Sequence, residues 1–365
     1  MSDAFGRFFL PGPTEVLPEI LAAQNKPMIG HRGSKTEELL AAIAPELKAI
    51  FRTSRPVIIA TCSATGLMEA AVRGGVRKKV LCLVNGAFSQ RFADIAAACG
   101  REVHAAKIEQ GRTFEPDQVR ALLKESGADA VTLVHSESSS GALNPVGEIA
   151  AAVREAGDAM VLVDGVTSVG GSPVETDAWG LDFVITGSQK ALALPPGLAF
   201  GVASPRLLER AKTLPGRGIY LDLVVYDEQI RKNQTPYTPA VSLFYALHAQ
   251  LVRIAANGGI EQRWARHDAM RASVERWVAR AGKERGIEFL PELGRRSWTV
   301  SCLTLGKAQP TGSEITKAMK AKGFTIASGY KNLKETTIRI GHMGDHTVKE
   351  VEAVLAALEE VVPRG

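Results

Sequence analysis

One lysine in this sequence stands where a side-chain amine can do chemistry. Lys190 follows an apolar run, residues 183–185, and precedes a Pro-Pro-Gly turn at residues 195–197. The run is typical of a buried strand and the prolines fix the turn, so we expect the lysine to be held and partly desolvated. A desolvated amine has a lowered pKa and can act as a nucleophile in Schiff-base chemistry. The alternative interpretation is a solvated lysine at a strand end.

A carboxylate lies at the end of another predicted strand. Asp164 follows the apolar residues 161–163 and precedes Gly165. Parallel sheets bind ligands at the carboxyl ends of their strands. An aspartate there can keep the pyridine nitrogen of a cofactor such as pyridoxal phosphate (PLP) protonated. The alternative is a turn or capping aspartate, which is common at strand ends.

Residues 63–66 have the features of an anion site. Their Ser-Ala-Thr-Gly sequence lies between a predicted strand and a predicted helix. The first N–H groups of a helix lack intrahelical partners and favour an anion, and the hydroxyls of Ser63 and Thr65 add donors. The stretch therefore predicts a phosphate cradle, with ordinary N-capping by Ser63 or Thr65 as the alternative. It lacks the lysine of a nucleotide P-loop.

Four further positions carry two interpretations each. Phe88 can stack on a planar cofactor or belong to the core. The polar residues 135–141 can supply hydroxyls to a ligand or form a plain loop. Arg339, between two isoleucines, should point away from them and suits carboxylate binding, or it is a surface cation. Gly30 allows a ligand to approach the backbone, or it forms a simple turn.

The elements that must position these residues follow a regular pattern. Short apolar runs alternate with helical patterns up to residue 185, which predicts an α/β fold with a mostly parallel, doubly wound sheet covered on both faces. After residues 258–259 the pattern suits a smaller α+β domain. We expect an extended N-terminal segment over residues 1–20, a large domain over 21–257 and a small C-terminal domain over 258–365.

Composition excludes several classes of function. The net charge of +5 is modest for 365 residues and the basic residues are scattered, so we expect no nucleic-acid partner. The four cysteines show no paired metal spacing, which predicts no metal and reduced thiols in a cytoplasmic protein. The first seven residues lack a signal pattern, and no uncharged apolar run is long enough to cross a bilayer. We therefore expect no membrane association.

The order of the stretches is more specific than any one of them. The chain resembles the class V (fold-type I) PLP-dependent aminotransferases, in the alanine/serine–glyoxylate and serine–pyruvate branch. The matching stretches follow one another in the family's order and cover nearly the whole chain. They are residues 11–14, 28–31, 63–69, 137–141, 163–164, 187–190 with 195–197, 238–245 and 339–341.

The resemblance implies PLP as the cofactor. It also implies ping-pong transamination between a small amino acid (alanine, serine or aspartate) and a small 2-oxo acid (glyoxylate or pyruvate). Lys190 would carry PLP as a Schiff base and move the proton, and Asp164 would pair with the pyridine nitrogen. Arg339 would bind the substrate carboxylate, and the Gly30 backbone would line the substrate site.

The other implied roles concern cofactor binding. Phe88 would stack on the ring and Ser138 would bind near its phenolic oxygen. The phosphate would be held by Ser63, Ala64, Thr65 and Gln189, and by Thr238 from the second subunit of a homodimer. The Ser-Ala-Thr-Gly stretch departs from relatives that have a glycine followed by a histidine, which puts the side-chain contribution to phosphate binding in doubt.

Three other readings stay open at this point. A cysteine desulfurase needs a nucleophilic cysteine on a mobile loop, and residues 305–336 contain none. A phosphoserine aminotransferase needs further phosphate ligands, which the sequence does not identify. A non-catalytic scaffold subunit of the same fold would not need Lys190, Asp164 and Arg339 together. The amino donor also stays open, with Arg32 a candidate side-chain ligand only through its place near Gly30.

Overall fold

The structure is a computed structural model that describes residues 5–364. The predicted extended segment of residues 1–20 therefore lies partly outside the described residues. Its described part contains strand β1 (Phe8–Phe9) and ends in the short helix α1 (Pro18–Ala22). Between these elements the backbone is irregular, as the Pro-Gly alternation predicts.

A seven-stranded sheet forms the larger of the two main layers. Its strands are β2 (Ile58–Ala60), β3 (Lys79–Val84), β4 (Glu102–Lys107), β5 (Ala130–Val134), β8 (Met160–Asp164), β9 (Phe183–Gly187) and β10 (Ala199–Ala203). They lie in the order β2-β10-β9-β8-β5-β3-β4. Strand β10 is antiparallel to both of its neighbours, and the other pairs are parallel. A short hairpin, β6 (Ser136–Glu137) with β7 (Ala142–Leu143), follows β5.

The strand directions bring six loops to one edge of this sheet. Because β10 is antiparallel to both β2 and β9, β2 and β9 run in the same direction. Strands β3, β4, β5 and β8 also run in that direction. The residues that follow these six strands therefore lie at the carboxyl edge, where α/β sheets bind their ligands.

Both faces of the sheet are buried. In β8, Val161 and Val163 pack into the core on one face, whereas Met160 and Leu162 pack into the core on the other. A strand covered on both sides has no polar face, which is why continuous apolar runs in the sequence correctly predicted strands here.

Sequence signals for helix formation are clear in the helices that cover the two sheets, as the last helix of the chain illustrates. In the last one, Thr347 and Glu350 form a capping box, and its buried residues Val351, Val354, Leu355 and Leu358 recur at helical spacing. The helices after α1 are α2 (Ser34–Phe51), α3 (Ala64–Gly75), α4 (Ala87–Ala98), α5 (Pro116–Ser126), α6 (Val146–Ala156), α7 (Pro205–Thr213), α8 (Leu223–Ile230), α9 (Val241–Ala256), α10 (Gly259–Trp277), α11 (Gly312–Ala321) and α12 (Val348–Val361). Shorter helical turns span Ala23–Asn25, Val278–Gly282, Lys283–Arg285 and Lys331–Leu333.

A second, five-stranded sheet belongs to the C-terminal part of the chain, in the order β1-β13-β14-β12-β11. It consists of β11 (Glu288–Phe289), β12 (Val300–Thr304), β13 (Thr325–Ser328) and β14 (Thr337–Gly341), joined by β1 from the N-terminal segment. Strand β1 pairs in parallel with β13, and the other pairs are antiparallel. The N-terminal segment is therefore part of the smaller layer.

The predicted α/β fold with a mostly parallel sheet is confirmed. The apolar runs at residues 161–163 and 183–185 lie in β8 and β9, and residues 63–66 span the start of α3 after β2, as predicted. The domain limits at residues 20 and 257 stay a prediction. Within residues 5–364, no helix has the length and hydropathy to cross a membrane, and no group of three or more His, Cys, Asp or Glu side chains is arranged for a metal ion.

Strand β1 makes a testable contribution to stability. Phe9 is fully buried and stacks on His346, with ring centroids 4.2 Å apart. Phe9→Ala should lower the free energy of unfolding by about 3–5 kcal/mol, because it leaves a cavity. Phe8→Ala is the matched control on the half-buried face and should cost about 1 kcal/mol. Urea denaturation measures both, and equal losses would contradict the assignment of β1 to this core.

Candidate active site

Lys190 lies just past the carboxyl end of β9, on a turn that is tied back to the sheet. The Ser188 hydroxyl donates to the Pro195 carbonyl (2.7 Å) and accepts from the Leu198 N–H (3.2 Å). These bonds close the rigid Pro-Pro-Gly turn over the strand end. Lys190 is only 8% exposed, so the sequence-based expectation of a held, desolvated lysine describes its position correctly.

Burial changes the acid–base behaviour of the Lys190 amine. Desolvation lowers its pKa to about 8, against the opposing effect of the Asp164 carboxylate and with help from the Arg339 cation. A larger fraction of the amine is therefore neutral near physiological pH than for an exposed lysine. The amine Nζ donates to the Pro11 carbonyl, so the N-terminal segment packs against the end of the lysine side chain.

Gly12 must be a glycine for this packing to fit. Its φ of +116° lies in the region that favours glycine,. A Cβ built there would lie 2.6 Å from Lys190 Cε and Nζ. Residues 11–13, which belong to the segment predicted to be extended, are therefore shaped around the lysine side chain.

Asp164 ends strand β8, beside the lysine turn. Its Oδ1 accepts a hydrogen bond from the Val166 N–H (2.8 Å). Burial raises its pKa to about 6; the Val166 bond and the Lys190 cation lower it, and the nearby Glu137 raises it. A buried carboxylate with one backbone donor is stabilised by a cation placed against it, and a protonated ring nitrogen is such a group.

The N-terminus of α3 faces the same cavity. Ser63 is the N-cap residue in extended conformation, and its side chain makes no capping hydrogen bond within the described residues. Ordinary N-capping by Ser63 is thus not what the structure shows. The Ser63 hydroxyl and the first N–H groups of α3 remain available to an anion, which fits the predicted phosphate cradle.

Phe88 stands at the start of α4 with its ring near the lysine. Lys190 Nζ lies 5.9 Å from its ring centroid, and the Tyr330 ring is 5.8 Å away. The buried Glu137 carboxylate fixes this helix start, because it accepts from the N–H groups of Phe88 (3.1 Å) and Ser89 (2.9 Å). The carboxylate also suits the positive end of the helix dipole.

Arg339, on strand β14 of the smaller sheet, borders the cavity through Ser138, a residue of the cavity lining. Its neighbours Ile338 and Ile340 enter the core of that sheet, so the arginine projects from the other face, as the alternation predicts. Its Nε donates to the Ser328 carbonyl (3.0 Å) and its Nη1 to the Ser138 carbonyl (3.1 Å). Burial lowers its pKa. Within residues 5–364, the Nη2 of Arg339 makes no hydrogen bond and no carboxylate pairs with the guanidinium. The Nη2 group can therefore donate to an anionic ligand.

The structure brings eight of the predicted site residues around one cavity: Ser63, Ala64, Thr65, Phe88, Ser138, Asp164, Gln189 and Lys190. Arg339 is not part of the lining but bonds to the Ser138 carbonyl, whereas Gly30 and Thr238 lie away from the lining. Both are exposed, and the Gly30 carbonyl accepts from the Thr36 hydroxyl (3.0 Å). Arg32 is exposed as well. The role of Thr238 was predicted across a dimer, so it stays a prediction.

Sequence reasoning missed several residues at the cavity. Arg91 lines it, with its guanidinium carbon 4.9 Å from the Phe88 ring centroid. The signal was present, because positions three apart share one face of a helix. Ser136 and Thr167 also line the cavity. Tyr330, from the loop after β13, lies outside the cavity lining but packs near Phe88, and it gives no sequence signal that separates it from other loop tyrosines.

Comparison with known proteins decides the family. The family model for class V aminotransferases matches residues 17–354. The chain belongs to the class V aminotransferases. Aminotransferases of this class and fold depend on PLP, so PLP is the cofactor, and the free α3 N-terminus, Asp164 and Lys190 fit it.

Relatives of this aminotransferase extend over nearly its whole length. An uncharacterized aminotransferase of Methanocaldococcus jannaschii is 39% identical over 96% of this chain and 91% of its own. A protein named as the small subunit of a soluble hydrogenase from Synechococcus is 34% identical over 97% and 92%. An L-aspartate–glyoxylate aminotransferase of Paracoccus denitrificans is 30% identical over 97% and 90%.

Solved structures agree with this placement. An aspartate aminotransferase of Thermus thermophilus has a TM-score of 0.88 at 32% identity, over 98% of this chain and all of its own. An alanine–glyoxylate aminotransferase of Nostoc has a TM-score of 0.90 at 27% identity, over 98% and 96%. The predicted resemblance to the alanine/serine–glyoxylate branch of class V is confirmed.

The pKa of Lys190 provides a direct test of the site's electrostatics. In cofactor-free protein, acetylation of Lys190 should have its pH midpoint at about 8, because burial favours the neutral amine. Asp164→Asn should move the midpoint lower, since the carboxylate is the main group that raises this pKa. Peptide mass spectrometry after brief acetylation measures both, with the exposed Lys78 as reference for the reagent. A midpoint above pH 10 would contradict the assignment.

Proposed function

We propose that this enzyme transfers an amino group between a small amino acid (alanine, serine or aspartate) and glyoxylate or pyruvate. The observation that carries the proposal is that Lys190 and Asp164 line one cavity, while Arg339 bonds to the carbonyl of Ser138, another residue of the cavity lining. Lys190 and Asp164 come from adjacent strands of the large sheet, and Arg339 comes from the smaller one. Relatives that are named for aspartate or alanine and glyoxylate support this choice of substrates.

Different residues around the cavity would bind different parts of PLP. We assign the phosphate to Ser63, Ala64 and Thr65 at the start of α3, with Gln189 beside them. Phe88 would stack on the ring and Ser138 would lie near its phenolic oxygen. When bound, the cofactor supplies an electron sink for charge that develops at the substrate Cα. Asp164 maintains that sink by keeping the ring nitrogen protonated.

Lys190 is the proposed base. Its pKa of about 8 lies near physiological pH, where a group both accepts and returns a proton efficiently. Its free amine would take the proton from the substrate Cα and hold it for return during the same half-reaction. The cover formed by residues 11–13 would limit the access of water to this amine.

Arg339 is the proposed anchor for the α-carboxylate. Two of its N–H groups are already fixed to the carbonyls of Ser328 and Ser138, which locks the plane of the guanidinium. Donor and acceptor both carry an α-carboxylate, so one arginine serves both half-reactions. Arg91 is a second cation at the cavity, with no carboxylate partner within the described residues. We assign it to the side-chain carboxylate of aspartate.

We also propose a homodimer in the cytoplasm. Thr238 and Gly30 are exposed, and Met28 and Ile219 are 71% and 78% exposed, which suits a surface covered by a second copy. Thr238 would then reach the partner's phosphate site. Four free thiols, at Cys62, Cys82, Cys99 and Cys302, support a reducing compartment.

The rival functions find less support at the site. Cys302 is fully buried in β12, and burial raises the pKa of its thiol to about 11, so it is unsuited to the nucleophilic role of a desulfurase. One relative is named as a hydrogenase subunit, which would suit a scaffold role. A scaffold does not require a buried lysine and a buried aspartate at one cavity, with a fixed arginine bonded to a residue of its lining.

The function is tested by single half-reactions. PLP-loaded enzyme is mixed with alanine, serine or aspartate, and the absorbance change of the cofactor is followed. The aminated enzyme is then mixed with glyoxylate or pyruvate. At least one donor and one acceptor should react completely without the other substrate present. No absorbance change with any donor would contradict aminotransferase activity on these substrates and favour the scaffold role.

Variants at Arg339 test the carboxylate anchor in the same assay. Arg339→Ala should weaken transition-state binding by about 2–5 kcal/mol in both half-reactions, because it removes one partner of a desolvated pair. Arg339→Lys should recover only part, since an ammonium lacks the guanidinium fork. PLP affinity should hardly change. A loss confined to one substrate would show that Arg339 recognises a side chain.

A further inference from the structure

The turn that carries Lys190 is held from behind by a buried charged cluster. We call residues 190–194 the lysine turn. Arg263, on α10, donates twice to the carbonyl of Ala191, from Nε (3.0 Å) and from Nη2 (2.6 Å). Gln250, on α9, donates to the carbonyl of Leu192 (2.9 Å). The two residues that follow Lys190 thus have both carbonyls fixed by side chains from other elements.

One carboxylate holds these two donors in place. Asp345, in the loop between β14 and α12, accepts from Arg263 Nη1 (2.9 Å) and from Gln250 Nε2 (2.8 Å). Burial opposes the ionisation of Asp345, but Arg263 and the other donors outweigh it, so its pKa is lowered to about 2. The side chain of Arg263 is 3% exposed and that of Asp345 fully buried. The pair is therefore little screened by solvent.

The lysine turn needs such support because its backbone is strained. Ala193 has a φ of +52°. This left-handed conformation is energetically costly for a residue that has a Cβ. Its N–H closes the turn onto the Lys190 carbonyl (2.8 Å). The neighbouring loop packs directly on it, since a Cβ at Gly344 would lie 3.0 Å from Ala193 Cβ. A conformation of this kind persists only when its surroundings impose it.

We infer that Arg263 and Gln250, aligned by Asp345, are positioning residues that hold the lysine turn so that the Lys190 amine points into the cavity. Neither of them lines the cavity; they act through the carbonyls of Ala191 and Leu192. The inference rests on the proposed role of Lys190. It connects the α9–α10 region and the loop after β14 to the chemistry at the carboxyl edge of the large sheet.

The test compares the same substitution at two arginines of one carboxylate. Arg263→Lys keeps a cation beside Asp345 but cannot make both bonds to the Ala191 carbonyl. Arg253→Lys is the control, because Arg253 also donates to Asp345 Oδ1 (2.9 Å) and makes no hydrogen bond to the lysine turn within the described residues. Hydrogen exchange in cofactor-free protein measures the amides of Ala193 and Leu194 against those of strand β8.

In Arg263→Lys, exchange at Ala193 and Leu194 should rise about tenfold relative to β8, as loss of a hydrogen bond predicts. The rate at which added PLP attaches to Lys190 should fall by a similar factor. Arg253→Lys should leave both quantities within about twofold of the wild type. A merely structural role would raise exchange in β8 as much as in the turn, and that result would overturn the inference.

Gln250→Met is a second variant that tests the same inference if Arg263→Lys does not fold. It removes the donor to Leu192 while preserving the side-chain volume, and it should raise exchange at the same two amides. Unchanged exchange together with normal loading would overturn the inference alone. Failure of the wild type to attach PLP at Lys190 would instead overturn the proposed function, whatever the exchange data show.

Discussion

The removal of the Lys190 amine from water is the constraint on which the rest of the site depends. A charged amine is costly in a poorly solvated site, and here burial lowers its pKa to about 8. Burial acts in the opposite sense on Asp164, whose pKa rises to about 6. Between these values both groups are charged and stabilise each other. Above pH 8 the lysine becomes neutral, which is the form that reacts with a carbonyl.

Placing these groups together requires both layers of the molecule. The parallel strands β8 and β9 bring Asp164 and the lysine turn to the same edge. The smaller sheet supplies Arg339 on one side, and the N-terminal segment supplies the Pro11 carbonyl on the other. The N-terminal segment can do so because β1 anchors it in the smaller sheet. The cavity is lined by residues of the large layer, and the smaller layer places Arg339 and the Pro11 carbonyl beside it.

Sequence alone predicted the parts of this arrangement that have local causes. Lys190 and Asp164 follow apolar runs that are buried on both faces, so the ends of these two strands could be predicted from the sequence. The position of β1 was not, because two residues paired with β13 through a long-range contact leave no local pattern. Glu137 read as part of a polar loop, and only the tertiary structure shows it capping α4. The role of Thr238 concerns a second copy, which one chain does not test. The predicted place of the Gly30 backbone at the substrate site also stays a prediction.

The central claim is that the buried amine of Lys190 is the attachment point of PLP. The most direct measurement is borohydride reduction of the PLP-loaded enzyme, followed by proteolysis and peptide mass spectrometry. The account predicts one phosphopyridoxyl group per chain, located on the peptide that contains Lys190, and no specific labelling in Lys190→Ala. A label on another lysine, or undiminished specific labelling in that variant, would contradict the account.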